Sequence, residues 1–318
     1  MSFSSDCKKE LCAVEPDKEC CRLSELSALF MSMGSLSLLG RGQVNVQFSG
    51  ESMAVCRRAY TLLVRTMGLT PQIHYVTHAR FGGTRNAVLT LGPVQSPVFL
   101  SALGMMETNG DGSQTLRSTS PRVSLSRSCC ARAFLRGVML GGGTLSNPEQ
   151  AYHLELSYRD EEARYAMAKC LGKLGLPVKQ SARREHAYLY LKQSDHIVNF
   201  LTAVGAHQAV MKIEDLRVKR AVLGAVNRAM NCDAFNLHKQ IEAGNEQREA
   251  IEWLQRENRI FSLPPSLQEI ALARLNQPDA SLAELGASLQ PPIGKSGVNH
   301  RMRRLMAYVQ THKEENPC

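Results

Sequence analysis

The 318-residue sequence is short of several things, and each shortage narrows the field. No apolar run approaches the ~20 residues that a membrane-spanning helix needs. The leading residues Met1-Ser-Phe-Ser-Ser-Asp-Cys-Lys-Lys hold no apolar stretch of the secretory kind. Both absences point to a cytoplasmic, reducing setting with no membrane partner, where the ten cysteines stay free thiols. Cys7, Cys12, Cys20 and Cys21 cluster loosely and Cys129-Cys130 are adjacent, yet no C-x2-C pair of a zinc module occurs. The cysteines therefore read as small apolar residues or exposed thiols, with no metal and no cofactor expected. Tryptophan occurs once, at Trp253, where a packing anchor is expected. Negative charge is the minority: 29 acids face 38 Lys and Arg, a net charge of +9, which suggests a polyanionic partner.

What is present is 43% hydrophobic residues, ample for packed cores, in a length that calls for more than one domain. The most informative stretch runs from Ser281 to Leu305. Ser281 and Glu284 have capping-box spacing, in which each side chain satisfies an orphan backbone N–H at a helix start. Leu282, Leu285 and Leu289 share one face of that helix. Gln290-Pro-Pro-Ile-Gly294 stops it, because Pro292 lacks an N–H and Pro291 pushes Gln290 out of helical geometry. Ser296 is then expected to N-cap a second helix. Val298, Met302, Leu305 and Val309 recur at i, i+4, i+7, i+11 as its core stripe. Asn299, His300, Arg303 and Arg304 project elsewhere. Helix, tight turn and basic helix form the helix-turn-helix pattern, whose second helix enters the DNA major groove.

Upstream, residues 1–22 read as a polar, cysteine-rich leading segment. A small-residue helix over 23–33 ends at a Gly34 C-cap. Leu36–Leu39 and Val44–Phe48 pair as a hairpin around Gly40-Arg41-Gly42. A helix from Glu51 ends at Gly68, a hairpin joins Ile73–Thr77 to Ala87–Leu91 around Gly82-Gly83, and a short helix follows at Pro97–Leu103. Residues 104–127 lose periodicity and read as a linker or exposed loop. The pattern then returns: a helix ending near Gly142-Gly143, a strand over 152–158, a helix over Asp160–Leu174, a hairpin from Val178–Arg183 to Ala187–Leu191, and a helix over Ser194–Val204. Gly34 and Gly143 are 109 positions apart, as are Glu51 and Asp160. The layout is a tandem αββαββα repeat, and the fold class is α+β. The domains expected are the 1–22 segment, a repeat domain over 23–206 (halves 23–103 and 128–206), bridging helices over 207–262, and a helix-turn-helix domain over 263–318.

The repeat resembles the LAGLIDADG homing endonuclease fold, in which two Gly-ended helices pack together and each half contributes a saddle-shaped sheet. Ser27, Ala28, Gly137, Gly141 and Gly142 suit that close helix approach. In active enzymes of that kind an acid just before the helix-ending glycine holds the metal. Here those positions are Met33 and Gly142, neither of which can ligate Mg2+. Glu25, Glu51 and Asp160 remain, and they read as helix-start acids. No catalytic residue and no nuclease activity are expected. Over nearly all its length the chain more specifically resembles the WhiA family. The matching residues are Ser2-Phe3-Ser4, Lys9-Glu10-Leu11, Leu135-Arg136-Gly137, Asn227-Arg228-x-x-Asn231-Cys232-Asp233, Leu282-x-Glu284-Leu285-Gly286 and Lys295-Ser296-Gly297-Val298-Asn299-His300-Arg301.

That resemblance implies a degenerate LAGLIDADG domain joined to a helix-turn-helix similar to the promoter-reading region of sigma factors. It implies a nucleoid-associated transcription regulator of sporulation, cell division and chromosome segregation. Promoter DNA is the implied partner, beside RNA polymerase with its sigma factor or a WhiB-like iron–sulfur protein. From the residues themselves, Asn299, Arg303 and His300 are candidates for base readout. Lys295, Ser296, Arg301 and Arg304 are candidates for phosphate contact. A bridging helix over Leu216–Met230, with Val218, Val222, Ala225 and Ala229 as its apolar stripe, adds Arg220, Asn227, Arg228 and Asn231, with capping as the rival role of Asn231. The competing readings are a metal-dependent homing endonuclease and an architectural or protein-interaction module.

Overall fold

The computed structural model describes residues 2–16, 18–40, 43–78, 84–110, 114–118, 120–183 and 186–315. They fall into two compact units, 1–219 and 220–318. The expected turns at 41–42 and 82–83 lie outside the described residues.

The first unit is built twice from one plan. Its first half runs through helix α2 (Glu19–Met33), strands β1 (Gly34–Gly40) and β2 (Gln43–Gly50), helix α3 (Met53–Met67), strands β3 (Gln72–His78) and β4 (Thr84–Leu91), and helix α4 (Gln95–Ala102). Its second half repeats this with α5 (Ser128–Gly142), β7 (Gly143–Leu145), β8 (Leu154–Tyr158), α6 (Glu161–Lys173), β9 (Lys179–Arg183), β10 (His186–Leu191) and α7 (Ser194–Val204). Each half yields one antiparallel four-stranded sheet, in the order β1-β2-β4-β3 and β7-β8-β10-β9. Strand alternation explains their two-sidedness. Val44, Val46 and Phe48 of β2 are buried while Asn45 and Gln47 between them are not. Phe30, Phe48 and Phe99 meet edge to face, with centroids 5.4 to 5.7 Å apart, and tie α2, β2 and α4 together.

Helices α2 and α5 pair along the middle. Gly137 makes this approach feasible, because a Cβ there would overlap the Glu25 carbonyl oxygen and lie 2.8 Å from the Ala28 Cβ. Glu25, expected as a helix-start acid, instead sits inside α2 with no exposed surface. Its two carboxylate oxygens accept from Arg58 Nε and Arg136 Nε, each at 2.8 Å. Arg58 also donates to the Val14 carbonyl at 2.6 Å, and Arg136 to the Val204 carbonyl at 3.1 Å. One buried acid thus ties together α3, α5 and the segment before α2. Gly34 and Gly143 leave their helices in extended geometry, with φ/ψ of −84/158° and −82/146°. They open strands directly, whereas Gly68 ends α3 in the left-handed conformation at φ 66°.

Several expectations need correction. Residues 3–12 form helix α1 (Phe3–Cys12), which buries Cys7 and Leu11 in the main core. The quoted N-terminal motifs have visible roles there. Ser2 caps α1 through Ser5 N at 3.2 Å, and Ser4 Oγ accepts from Leu145 N at 3.2 Å. Glu10 accepts from Gln208 N at 2.6 Å and Ala209 N at 3.1 Å, which caps the next long helix with a negative charge. The expected linker 104–127 carries β5 (Met106–Thr108) and β6 (Gln114–Leu116), and it buries Met105, Ser118 and Ser120. Strand β7 supplies the partner that the αββαββα plan requires for the 152–158 strand, at 143–145, where the residues themselves signal only a helix end. Asp160 does act as a helix start: its Oδ1 accepts from Ala163 N at 2.7 Å. Glu51 precedes α3 and is exposed.

The two expected bridging helices are one, α8 (His207–Arg256). Asn231-Cys232-Asp233 continues that helix, so Asn231 caps nothing. The second unit then adds a 3-10 turn at Ile260–Ser262, α9 (Pro265–Asn276), α10 (Leu282–Ser288) and α11 (Lys295–Glu315). Its separate core joins Ile251 and Leu254 of α8 to Ile270, Leu285, Val298, Met302, Leu305 and Val309. Trp253 packs against this core, with Lys313 over its ring at 5.6 Å.

Candidate nucleic-acid interface

The α10–α11 pair is set by short-range chemistry. Ser281 N donates to Glu284 Oε2 at 2.7 Å and Glu284 N donates to Ser281 Oγ at 3.3 Å, which completes the capping box. These hydrogen bonds hold the Glu284 carboxyl below its usual pKa. The turn closes through Ile293 N donating to the Gly286 carbonyl at 3.0 Å. A Cβ at Gly286 would overlap the Ile293 carbonyl oxygen and lie 3.0 Å from Val298 Cγ2, so the tight connection requires glycine. Helix α11 opens at Lys295, one residue before the expected Ser296 cap.

The expected core stripe of α11 is buried: Val298, Met302, Leu305 and Val309 are all at most 3% exposed. Burying that stripe turns Ser296, His300, Arg303 and Arg304 outward, with Lys295 exposed at the helix start and Asn299 half-buried. Arg301 is different. Its Nη1 donates to Glu269 Oε2 of α9 at 2.9 Å, and Glu269 Oε1 accepts from Gln290 N at 3.1 Å. Arg301 therefore holds α11 against α9 and the turn. Glu269, which ties this together, carries no local motif that would reveal it from sequence. Arg274 is likewise buried, with its Nη1 donating to the Ala280 carbonyl at 2.5 Å.

On α8, Arg220, Asn227, Arg228 and Asn231 are all exposed. The supposed apolar stripe of this helix is exposed as well: Val218 is 62% and Val222 57% accessible, and Ala225 and Ala229 are open. The periodicity was a true helix signal, but within this chain the stripe stays largely uncovered. Arg217 is taken up in ion pairs with Asp195 at 2.7 Å and Glu214 at 2.9 Å.

Three family models match in succession. They are the WhiA N-terminal LAGLIDADG-like domain over 19–92, the WhiA LAGLIDADG-like domain over 131–222 and the WhiA C-terminal HTH domain over 226–309. The probable cell division protein WhiA of Heliobacterium modesticaldum is 37% identical over 316 residues, covering 99% of this chain and 98% of its own. The chain belongs to the WhiA family. The Thermoanaerobacter sp. protein of the same description is 36% identical, over 99% of both chains. The crystal structure of full-length DUF199/WhiA from Thermatoga maritima superposes with a TM-score of 0.61 at 25% identity, over 98% of this chain and 99% of that one. The N-terminal LAGLIDADG domain of DUF199/WhiA shares the fold at a TM-score of 0.50, over 64% of this chain and 90% of that one. The α+β architecture, with a LAGLIDADG-like repeat and a helix-turn-helix, is therefore that of WhiA. Among the described residues no helix is long and apolar enough to cross a membrane.

In this WhiA-family chain Met33 closes α2 as a buried thioether and Gly142 closes α5 without a side chain. Arg159 donates to the Gly34 carbonyl beside them. A guanidinium there places positive charge beside the two helix ends. The cysteines depart furthest from expectation. Cys20, Cys21, Cys129 and Cys130 converge at the other end of the α2–α5 pair, whereas Cys7 and Cys12 stand outside that group. Cys20 and Cys129 are 109 residues apart, as are Cys21 and Cys130, the same offset as Gly34 and Gly143, and no C-x2-C spacing marks them. A scan for metal spacing passes over them, but the repeat could have found them: the echo that aligns Gly34 with Gly143 also aligns the two pairs at the starts of the helices that pack together.

Proposed function

We propose that this WhiA-family protein is a sequence-specific DNA-binding transcription regulator, acting in cell division, sporulation and chromosome segregation without nuclease chemistry. One observation carries the reading. The face of α11 opposite its buried stripe presents His300, Arg303 and Arg304 to solvent beside Lys295 and Ser296. Arginine forks and an Asn amide at 299 suit guanine and adenine edges, and the remaining cations suit phosphates. Arg301 is reassigned from phosphate contact to holding the turn. Arg220, Asn227, Arg228 and Asn231 serve as additional backbone contacts along α8. The outward rows of the repeat sheets carry Asn45, Gln47 and Ser157 among Val88, Tyr188 and Tyr190, a mixed surface that suits lying on DNA or a protein partner without cutting. Promoter-bound RNA polymerase with its sigma factor, or a WhiB-like protein, is the corresponding partner, and the site of action is the nucleoid.

Genome-wide DNA binding by the intact protein and by a version ending at residue 263 tests this reading. Discrete promoter peaks that vanish on truncation support it; an unchanged pattern refutes the role of α11. Incubation with Mg2+ and plasmid tests the absence of nuclease chemistry, which sustained cleavage lost on mutating Glu51 or Asp160 would contradict.

A further inference from the structure

Cys20 and Cys21 lie in the first turn of α2, and Cys129 and Cys130 in the first turn of α5. All four sulfurs lie within 4.8 Å of one another. Cys21 and Cys130 are buried, Cys20 and Cys129 half-buried, and the group forms a small cluster of its own with Ala133. From these positions we infer that the four cysteines form a mononuclear tetrathiolate site for Zn2+, clamping the two repeat halves at their helix starts.

The chemistry favours one soft, tetrahedral ion. Four sulfur donors and no oxygen donor select against Mg2+, Ca2+ and Mn2+. With Zn–S bonds of about 2.3 Å, the edges of a ZnS4 tetrahedron are about 3.8 Å. The thiols therefore need to close by no more than about 1 Å to reach ligand geometry, a movement within reach of small χ1 adjustments. A multi-iron cluster places metal ions between its cysteines and would hold them further apart. Binding replaces four S–H protons, released to water, with four Zn–S bonds, leaving a site of net charge −2.

The surroundings suit that charge. Two helix N-termini converge on the sulfurs, each carrying about half a positive charge on unpaired N–H groups. Arg127 stands beside Cys20. Ser24 lies next to Cys130 and donates to the Cys20 carbonyl at 2.8 Å, fixing the first turn of α2. This is not the degenerate nuclease position. Met33 lies 13 residues further along α2, about 20 Å at 1.5 Å per residue. The site would join two helices from separate halves of the repeat, as a structural zinc does in small domains.

The test is metal content and ligand identity in the full-length protein, purified without an affinity tag under reducing conditions. Elemental analysis is expected to give one zinc per chain, with one Co2+ taking its place and showing tetrahedral-thiolate absorption. A Cys20→Ser/Cys129→Ser variant, altered only at the two half-buried positions, is expected to fold by circular dichroism and lose the ion. Cys12→Ser, outside the cluster, is expected to keep it. Zinc that stays substoichiometric after titration of reduced protein overturns the proposal. So does equal binding by the double variant, an iron–sulfur chromophore, or a disulfide between α2 and α5 that persists in fully reducing buffer. None of these readouts depends on DNA binding.

Discussion

In the first unit Glu25, Arg58 and Arg136 are each less than a tenth exposed, and the acid lies between two guanidinium groups at 2.8 Å. In the second unit Lys295, Arg303 and Arg304 of α11 face water, and among the described residues no acid is paired with Arg303 or Arg304. The difference follows from what burial costs. An ion taken out of water needs a partner held in good geometry, so the first set fixes how the repeat halves meet. An exposed arginine keeps its hydration and adds little to stability, so it remains available to a polyanion. Arg301 lies between these extremes, half-buried and paired with Glu269.

The comparison breaks most visibly at Glu25. Glu25→Ala leaves two buried guanidinium groups without their carboxylate, and is expected to cost about 3–5 kcal/mol. Thermal or urea unfolding measures it, and a loss under about 1 kcal/mol would remove the acid from its organising role. Next comes the helix approach. Gly137→Ala pushes a methyl into the Glu25 carbonyl and is expected to cost about 1–3 kcal/mol. Gly142→Ala meets only ordinary contacts, Ser157 O at 3.5 Å being the nearest, and should stay within about 0.5 kcal/mol.

Arg303→Ala and Arg301→Ala sharpen the contrast between binding and folding. The first is expected to weaken cognate DNA binding by about 1–3 kcal/mol with the melting temperature unchanged. The second is expected to cost up to about 1 kcal/mol of stability, since its ion pair is partly exposed. Anisotropy titrations alongside melts separate them, and equal weakening of Arg303→Ala on random DNA argues against base reading. Arg304→Ala should lower the salt slope of binding by about 1.

The smallest effects belong to the capping box. Ser281→Ala should cost about 1 kcal/mol. Because the folded pKa of Glu284 is depressed, its contribution is present above the unfolded pKa and fades as pH falls through the lower folded one. The difference in melting temperature between the protein and Glu284→Gln should therefore shrink below about pH 4. A difference that persists at acid pH would show the cap acting without its charge.

Much of the architecture was legible because its causes are local. Gly68 and Asp160 mark helix ends, the stripe from Val298 to Val309 marks a helix face, and the 109-residue echo marks a repeated plan. Local signals also misled. Asn231-Cys232-Asp233 has the composition of a helix end, yet α8 runs through it, since capping preferences are worth little against an otherwise helical stretch. Residues 1–22 read as a polar, cysteine-rich leading segment, although Cys7 and Leu11 are buried side chains whose partners lie in other elements.

Residues within a few positions of one another determined the helices, the hairpins, the cap at Ser281 and the outward row on α11, because backbone hydrogen bonds and side-chain periodicity act over that range. Tertiary structure alone decided that Glu25 meets Arg58 and Arg136, that Arg301 meets Glu269, and that the sulfurs of two cysteine pairs at matching repeat positions come within 4.8 Å of one another. Those meetings depend on how closely α2 and α5 approach and how α11 sits on α9, and packing sets such distances between elements far apart in the chain.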